Sequence, residues 1–142
     1  MILIPFFFRK LGVKMMLLIG MGCWVARYIL FAMAAPSQSM WMLLMGIALH
    51  GICYDFFFVS GMIYTDKKAN PEIRGQAQSL IVMLTQGLGL GIGAQAFGWW
   101  TTQCTTGDDV DFARFWYIPA AFALIVMLFF AVAFWDRSTD EA

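Results

Sequence analysis

Charge is what this sequence has least of: 13% of its 142 residues are Asp, Glu, Lys or Arg, and there is one histidine. Globular chains carry about 25% charged residues. A water-soluble domain of this length has too much surface to cover with so few charges, which excludes that class. Titratable chemistry is thin for the same reason. The lone His50 has no metal-ligand spacing around it, no serine is paired with a base by a local motif, and no phosphate-binding loop is present. The chain therefore reads as no enzyme, with no cofactor and no metal. Cysteine is sparse too. Cys23 and Cys53 lie in apolar runs and Cys104 in a polar stretch, at spacings that form neither a zinc site nor a disulfide framework. They read as unpaired thiols used as small apolar fillers. The formal net charge is +0, so nothing points to nucleic acid as a partner. The opening residues do not read as a signal peptide: the apolar run from Met1 to Phe8 precedes Arg9 and Lys10, the reverse of a signal's order. On that order residues 1–8 are expected to be the end of a preceding helix, and the chain a piece of a longer one.

What is abundant is apolar surface, with 61% hydrophobic and 17% aromatic residues. Crossing the hydrocarbon core takes about 20 residues of helix. Four segments qualify, at about 15–35, 40–64, 76–100 and 115–135. Pro36-Ser-Gln-Ser39 supplies a turn after the first, and Thr65-Asp66-Lys67-Lys68 ends the second. Asn70-Pro71-Glu72 reads as the start of the third helix: a capping residue, a proline in the first helical position, an acid in the first turn. Helices are expected over strands because backbone groups in lipid must be satisfied within the element or across a closed barrel. Barrel strands would alternate apolar and polar residues, and these runs are apolar on every face. The fold class is thus an all-α membrane protein with four transmembrane helices, and the lipid bilayer is its first partner.

Orientation follows from the basic residues. Arg9, Lys10, Lys14, Lys67, Lys68, Arg74 and Arg137 fall on one side, while Arg114 stands alone on the other with Asp108, Asp109 and Asp111. The basic side is expected to be cytoplasmic, which places the C-terminus in the cytoplasm. Trp41, Trp99, Trp100, Trp116, Tyr117 and Trp135 sit near the span ends, where interface anchors belong.

Functional information concentrates in the few ionisable groups within spans. Arg27 lies in the first span; His50, Tyr54 and Asp55 lie in the second. A charge at mid-bilayer costs at least ~2.5–3.5 kcal/mol, and such residues usually face a bundle interior or a watery cavity. At ~1.5 Å of rise per residue, Arg27, His50 and Asp55 fall roughly 18, 21 and 13 Å from the cytoplasmic ends. All three are in the middle zone, within reach of one Arg side chain. His50 and Tyr54 are four apart and share a helix face. Two readings stay open: His50 and Tyr54 face a substrate cavity, with Asp55 paired to Arg27 or coupled to a proton; or Arg27–Asp55 is a structural ion pair and His50 is bonded within the packing. In the third span, Gly89-Leu-Gly91-Ile-Gly93 imitates a dinucleotide fingerprint but lacks the preceding strand. The pairs Gly87/Gly91 and Gly89/Gly93 are expected to let another helix approach closely.

The stretch His50-Gly-Ile-Cys-Tyr54-Asp55-Phe56-Phe57-Phe58-Val-Ser-Gly61, then Tyr64-Thr-Asp-Lys67-Lys68-Ala-Asn-Pro71-Glu-Ile-Arg74-Gly-Gln-Ala77-Gln78, resembles the nucleoside:proton symporter family of the major facilitator superfamily. Ile4-Pro5-Phe6-Phe7-Phe8-Arg9-Lys10-Leu-Gly12 is similar to a cytoplasmic turn of the same family. The resemblance implies that the chain runs from the end of helix eight through helix twelve of a twelve-helix carrier, within its C-terminal six-helix half. It implies a multi-pass protein of the bacterial inner membrane that moves a nucleoside-like solute with protons by alternating access, partnered by a missing N-terminal half. It assigns Tyr54 and Asp55 to the family's aromatic-Asp pair on helix ten, and puts His50 where relatives carry an aromatic. On it, His50 and Tyr54 are the expected substrate contacts, and Asp55 with Arg27 the expected proton-coupling or gating groups. Two rival readings accompany it: a carrier of the same fold for another small solute such as a sugar or drug, and a small four-helix membrane subunit without transport activity.

Overall fold

The structure, a computed structural model, describes residues 4–107 and 109–134, with side chains from Leu11 onward. It is helical nearly throughout, and four helices are long and apolar enough to cross a membrane: Leu11–Ser37, Met40–Lys68, Arg74–Cys104 and Phe112–Ala133. The spans expected from hydropathy are all present, each a few residues longer at one or both ends. The end of the fourth, with Trp135, and Arg137 and Asp108 lie outside the described residues.

The first helix, α1 (Ile4–Ser37), is two helices that meet at a kink at Gly12, with φ 71 and ψ 166. Only glycine takes that backbone without strain, so the break falls where the chain can bend cheaply. The expected preceding helix end is therefore longer than residues 1–8 and reaches Leu11. At the other end α1 runs through Pro36 to Ser37, and Gln38, at φ 48, reverses the chain. Ser37 Oγ ties off the last turn by donating to the Met33 carbonyl at 2.7 Å.

The second span is not one regular helix. It comprises α2 (Met40–Tyr54), a π-helical segment (Asp55–Val59) and α3 (Ser60–Lys68). A π-helical turn carries one extra residue, widens the helix, and is found frequently at functional sites. The third span has the same construction: α4 (Arg74–Val82), a second π-helical segment (Met83–Gly89) and α5 (Leu90–Cys104). Here the expected start is corrected. Residues 71–73 form a turn, with the Ile73 amide donating to the Asn70 carbonyl at 3.0 Å, and the helix begins at Arg74. Proline in the second position of a turn has the same fixed φ as proline at a helix start, so the local signal fits both.

The stretch after the third span is also more ordered than an irregular loop. Two short strands, β1 (Thr105–Thr106) and β2 (Asp109–Val110), pair antiparallel, and Gly107 turns the chain at φ 66. Cys104, expected in a polar loop, ends α5 and is buried. The fourth span is α6 (Phe112–Ala133), with Pro119 buried inside it.

The chain divides into two compact units, Met1–Gly61 with Phe112–Ala142, and Met62–Asp111. In the first, α1 lies between α2 and α6. Its inward face is Val13, Met16, Leu17, Gly20, Met21 and Val25, a spacing of three and four that keeps one stripe turned to its neighbours. In the second unit, Asp66 accepts from the Gln78 side-chain amide at 3.4 Å, joining the end of α3 to the start of α4. The glycines expected to admit another helix do not do so among the described residues: a Cβ at Gly91 or Gly93 would meet nothing within 4 Å.

Candidate functional site

The ionisable residues of the first two spans converge within the first unit. Arg27 extends from α1 to α2, where its Nη1 donates to Nδ1 of His50. The guanidinium lies against the rings of Tyr28 and Phe31, with Cζ 5.2 and 5.6 Å from their centroids. Cation–π contact of this kind offsets part of the cost of holding a charge away from water. Its Nε is buried without a hydrogen-bond partner among the described residues. The partner of Arg27 is therefore His50 and not Asp55. Three groups at similar depth could have paired in either way, and the rotation of α2 about its axis selects the histidine.

That rotation is set by packing. Gly46 on α2 admits the Phe31 ring of α1: a Cβ there would lie 2.5 Å from Phe31 Cε1. Gly20 on α1 admits the backbone of the π-helical segment: a Cβ there would lie 2.9 Å from the Phe57 amide nitrogen. Two glycines, one on each helix, thus clamp α1 to the second span above and below Arg27. On the far side of α1, Trp116 of α6 stacks on Tyr28 at 5.7 Å and meets Phe31 at 5.0 Å, which backs the rings under the guanidinium.

From His50 a row of rings runs along the second span. His50 and Tyr54 are 6.4 Å apart by ring centroid, and Tyr54 and Phe58 are 4.9 Å apart. Phe57 and Phe58 then close on Trp24 of α1 at 5.0 and 5.9 Å. His50 and Tyr54 are exposed in this chain; Arg27 and Asp55 are half-buried. Asp55 opens the π-helical segment, and its amide donates to the carbonyls of both Gly51 and Ile52. Among the described residues its carboxylate has no hydrogen-bond or ion-pair partner.

The structure thus gathers Arg27, His50 and Tyr54 and sets Asp55 beside them in sequence, at the point where the helix widens. Sequence reasoning missed the frame: Trp24, Tyr28, Phe31 and Trp116, and the glycines 20 and 46 that let it close. The run Phe56-Phe57-Phe58 was a signal for it. Three consecutive rings cannot all face lipid when a small residue such as Gly20 opens a slot in the neighbouring helix.

Chemically, the arrangement offers a flat aromatic surface, a hydrogen-bonding imidazole edge, and an acid without a counter-charge, all near the middle of membrane-crossing helices. Planar rings stack on such a surface, and a single mid-membrane acid is suited to carrying a proton.

Residues 1–139 match the family described as Nucleoside H+ symporter. The chain is 30% identical over 132 residues to the nucleoside permease NupG of Escherichia coli, covering 92% of this chain and 32% of that protein. It is 29% identical to the xanthosine permease of the same organism over the same shares of each chain. A crystal structure of the nucleoside transporter NupG superposes with a TM-score of 0.82 at 28% identity, over 96% of this chain and 34% of that one. An Asp-to-Ala mutant of the same transporter gives 0.87. The chain therefore spans about a third of the length of the relatives it matches.

Proposed function

This chain belongs to the nucleoside H+ symporter family, and on that premise we propose that it forms the C-terminal third of a proton-driven nucleoside carrier of the inner membrane. Its fold supports the reading: four membrane-crossing helices that correspond to part of a major facilitator transporter. In this proposal the remaining helices supply the other wall of the cavity, and the two halves rock about the bound solute. The C-terminus lies in the cytoplasm, on the side that carries most of the Lys and Arg residues.

The observation that carries the chemistry is Asp55. It sits at the head of a π-helical segment near the middle of Met40–Lys68, half-buried, with no counter-charge among the described residues. An acid inside a membrane span without a counter-charge is a functional group by default, because structure alone gives it no reason to be there. A site that is loaded with a proton on the outside and emptied on the inside couples solute entry to the proton gradient. His50 and Tyr54 contact the solute: the Tyr54–Phe58 surface stacks on the base, and the imidazole edge bonds to it. Arg27 is the gating or positioning group that reaches His50 across the helix pair.

Uptake by the complete carrier in proteoliposomes tests this. With an inward proton gradient, labelled nucleoside should accumulate, a protonophore should abolish the accumulation, and sugars in excess should not compete. Accumulation indifferent to the gradient, or effective competition by a sugar, would contradict the proposal.

A further inference from the structure

We infer that Arg27 is a specificity-setting residue: by donating to His50 Nδ1 it holds the imidazole in its Nε2–H form, so the exposed edge of the ring is a donor that selects planar substrates carrying an acceptor. The inference rests on the reading of His50 as a substrate contact and deepens it.

A guanidinium has five N–H donors and no acceptor, and it stays charged. A neutral imidazole has one N–H and one lone pair. The bond between Arg27 Nη1 and His50 Nδ1 can therefore form in one way only, with the lone pair on Nδ1 and the proton on Nε2. The other tautomer, and the doubly protonated ring, would set two donors against each other.

The surroundings of Arg27 make that exchange costly. Its guanidinium lies over the Tyr28 and Phe31 rings, whose faces are not conventional hydrogen-bond acceptors. Its Nε is already buried without a partner. Among the described residues the His50 lone pair is the one acceptor it has. Losing it would leave a half-buried cation inside a membrane span with no acceptor.

The consequence lies at the other end of the ring. His50 is exposed, and Tyr54 and Phe58 continue its face. A planar heterocycle stacked on those rings meets an N–H at its edge, which bonds a carbonyl oxygen or an unprotonated ring nitrogen. A ribose hydroxyl both donates and accepts, so it would not feel the tautomer. The preference is thus for the base and not the sugar. Once a bound solute covers that donor, failing to meet it with an acceptor is penalised more heavily than an ordinary contact is rewarded.

With nitrogen-15 histidine in the complete carrier in lipid nanodiscs, and the His50 signals assigned by their loss in His50→Gln, the His50 ring should show the pattern of a pure Nε2–H imidazole. In Arg27→Met the same signals should move toward the average of exchanging tautomers. An Nδ1–H ring or an imidazolium in the wild type overturns the inference, whether or not the variant folds, and so does a spectrum indifferent to Arg27→Met. In the complete carrier, inosine should then compete better than purine riboside, or adenosine better than its 7-deaza analogue, by about tenfold, the worth of one hydrogen bond. Arg27→Met should collapse that ratio. If the tautomer pattern is as described and neither ratio exceeds unity, the tautomer lock stands and the placing of His50 against the base fails.

Discussion

Gly20 and Phe57 approach so closely that a single carbon on the glycine would sit 2.9 Å from the Phe57 amide nitrogen and 3.1 Å from its Cβ. The contact is backbone against backbone, so no rotamer change relieves it. It occurs within the π-helical segment of the second span. The extra residue in that turn and the missing side chain on α1 are two halves of one fit.

Replacing Gly20 by Val should therefore force the helices apart. Overpacking of this kind typically costs ~1–3 kcal/mol. Thermal unfolding in detergent should show a clear loss of stability, and transport should fall with it because Asp55 opens the displaced segment. Gly51→Ala is the matched control: a Cβ there meets nothing within 4 Å, and stability should hold.

The Gly46–Phe31 contact differs because the neighbour is a side chain. In Gly46→Ala the Phe31 ring, at 2.5 Å from the new carbon, must swing away. It then leaves Trp116, now at 5.0 Å, and the Arg27 guanidinium. An aromatic pair is worth ~0.5–1.5 kcal/mol beyond its buried area, so a loss of about that size is expected. Adding Phe31→Leu should give a double mutant less damaged than the sum of the two changes, measured by a stability cycle.

Tyr54 stands between His50 and Phe58 in the row of rings. If that surface stacks on a base, Tyr54→Ala should weaken nucleoside binding by about tenfold or more, since base stacking on an aromatic is worth ~1–3 kcal/mol. Tyr54→Phe keeps the ring and should retain most of the affinity. Equilibrium binding of a fluorescent nucleoside to the two variants of the complete carrier decides it.

Much of the architecture is legible in the sequence. Four apolar runs of span length and the polar turns between them are global signals, and lipid leaves few other ways to satisfy their backbones. The misjudged features are local degeneracies. Asn70-Pro71 satisfies a helix start and a turn equally well, and the hydrogen bond from Ile73 shows the turn formed. The π-helical segments leave no period in a stretch where every residue is apolar. For the site, depth and face placed Arg27, His50 and Tyr54 in one neighbourhood. They could not choose between His50 and Asp55 as the partner of Arg27, because that depends on how far α2 is turned, and the turn is set by Gly46 and Phe31 meeting across the helices. The glycines of the third span have no helix against them among the described residues, so their side chain-free face stays open in this chain.

The most direct test of proton coupling at Asp55 is Asp55→Asn in the complete carrier, measured two ways in proteoliposomes. The amide keeps the shape of the side chain and cannot carry the proton. Accumulation of labelled nucleoside driven by a proton gradient should be lost, while exchange of labelled for unlabelled nucleoside across the membrane should persist. Gradient-driven accumulation at the wild-type level would show that the proton travels by another group.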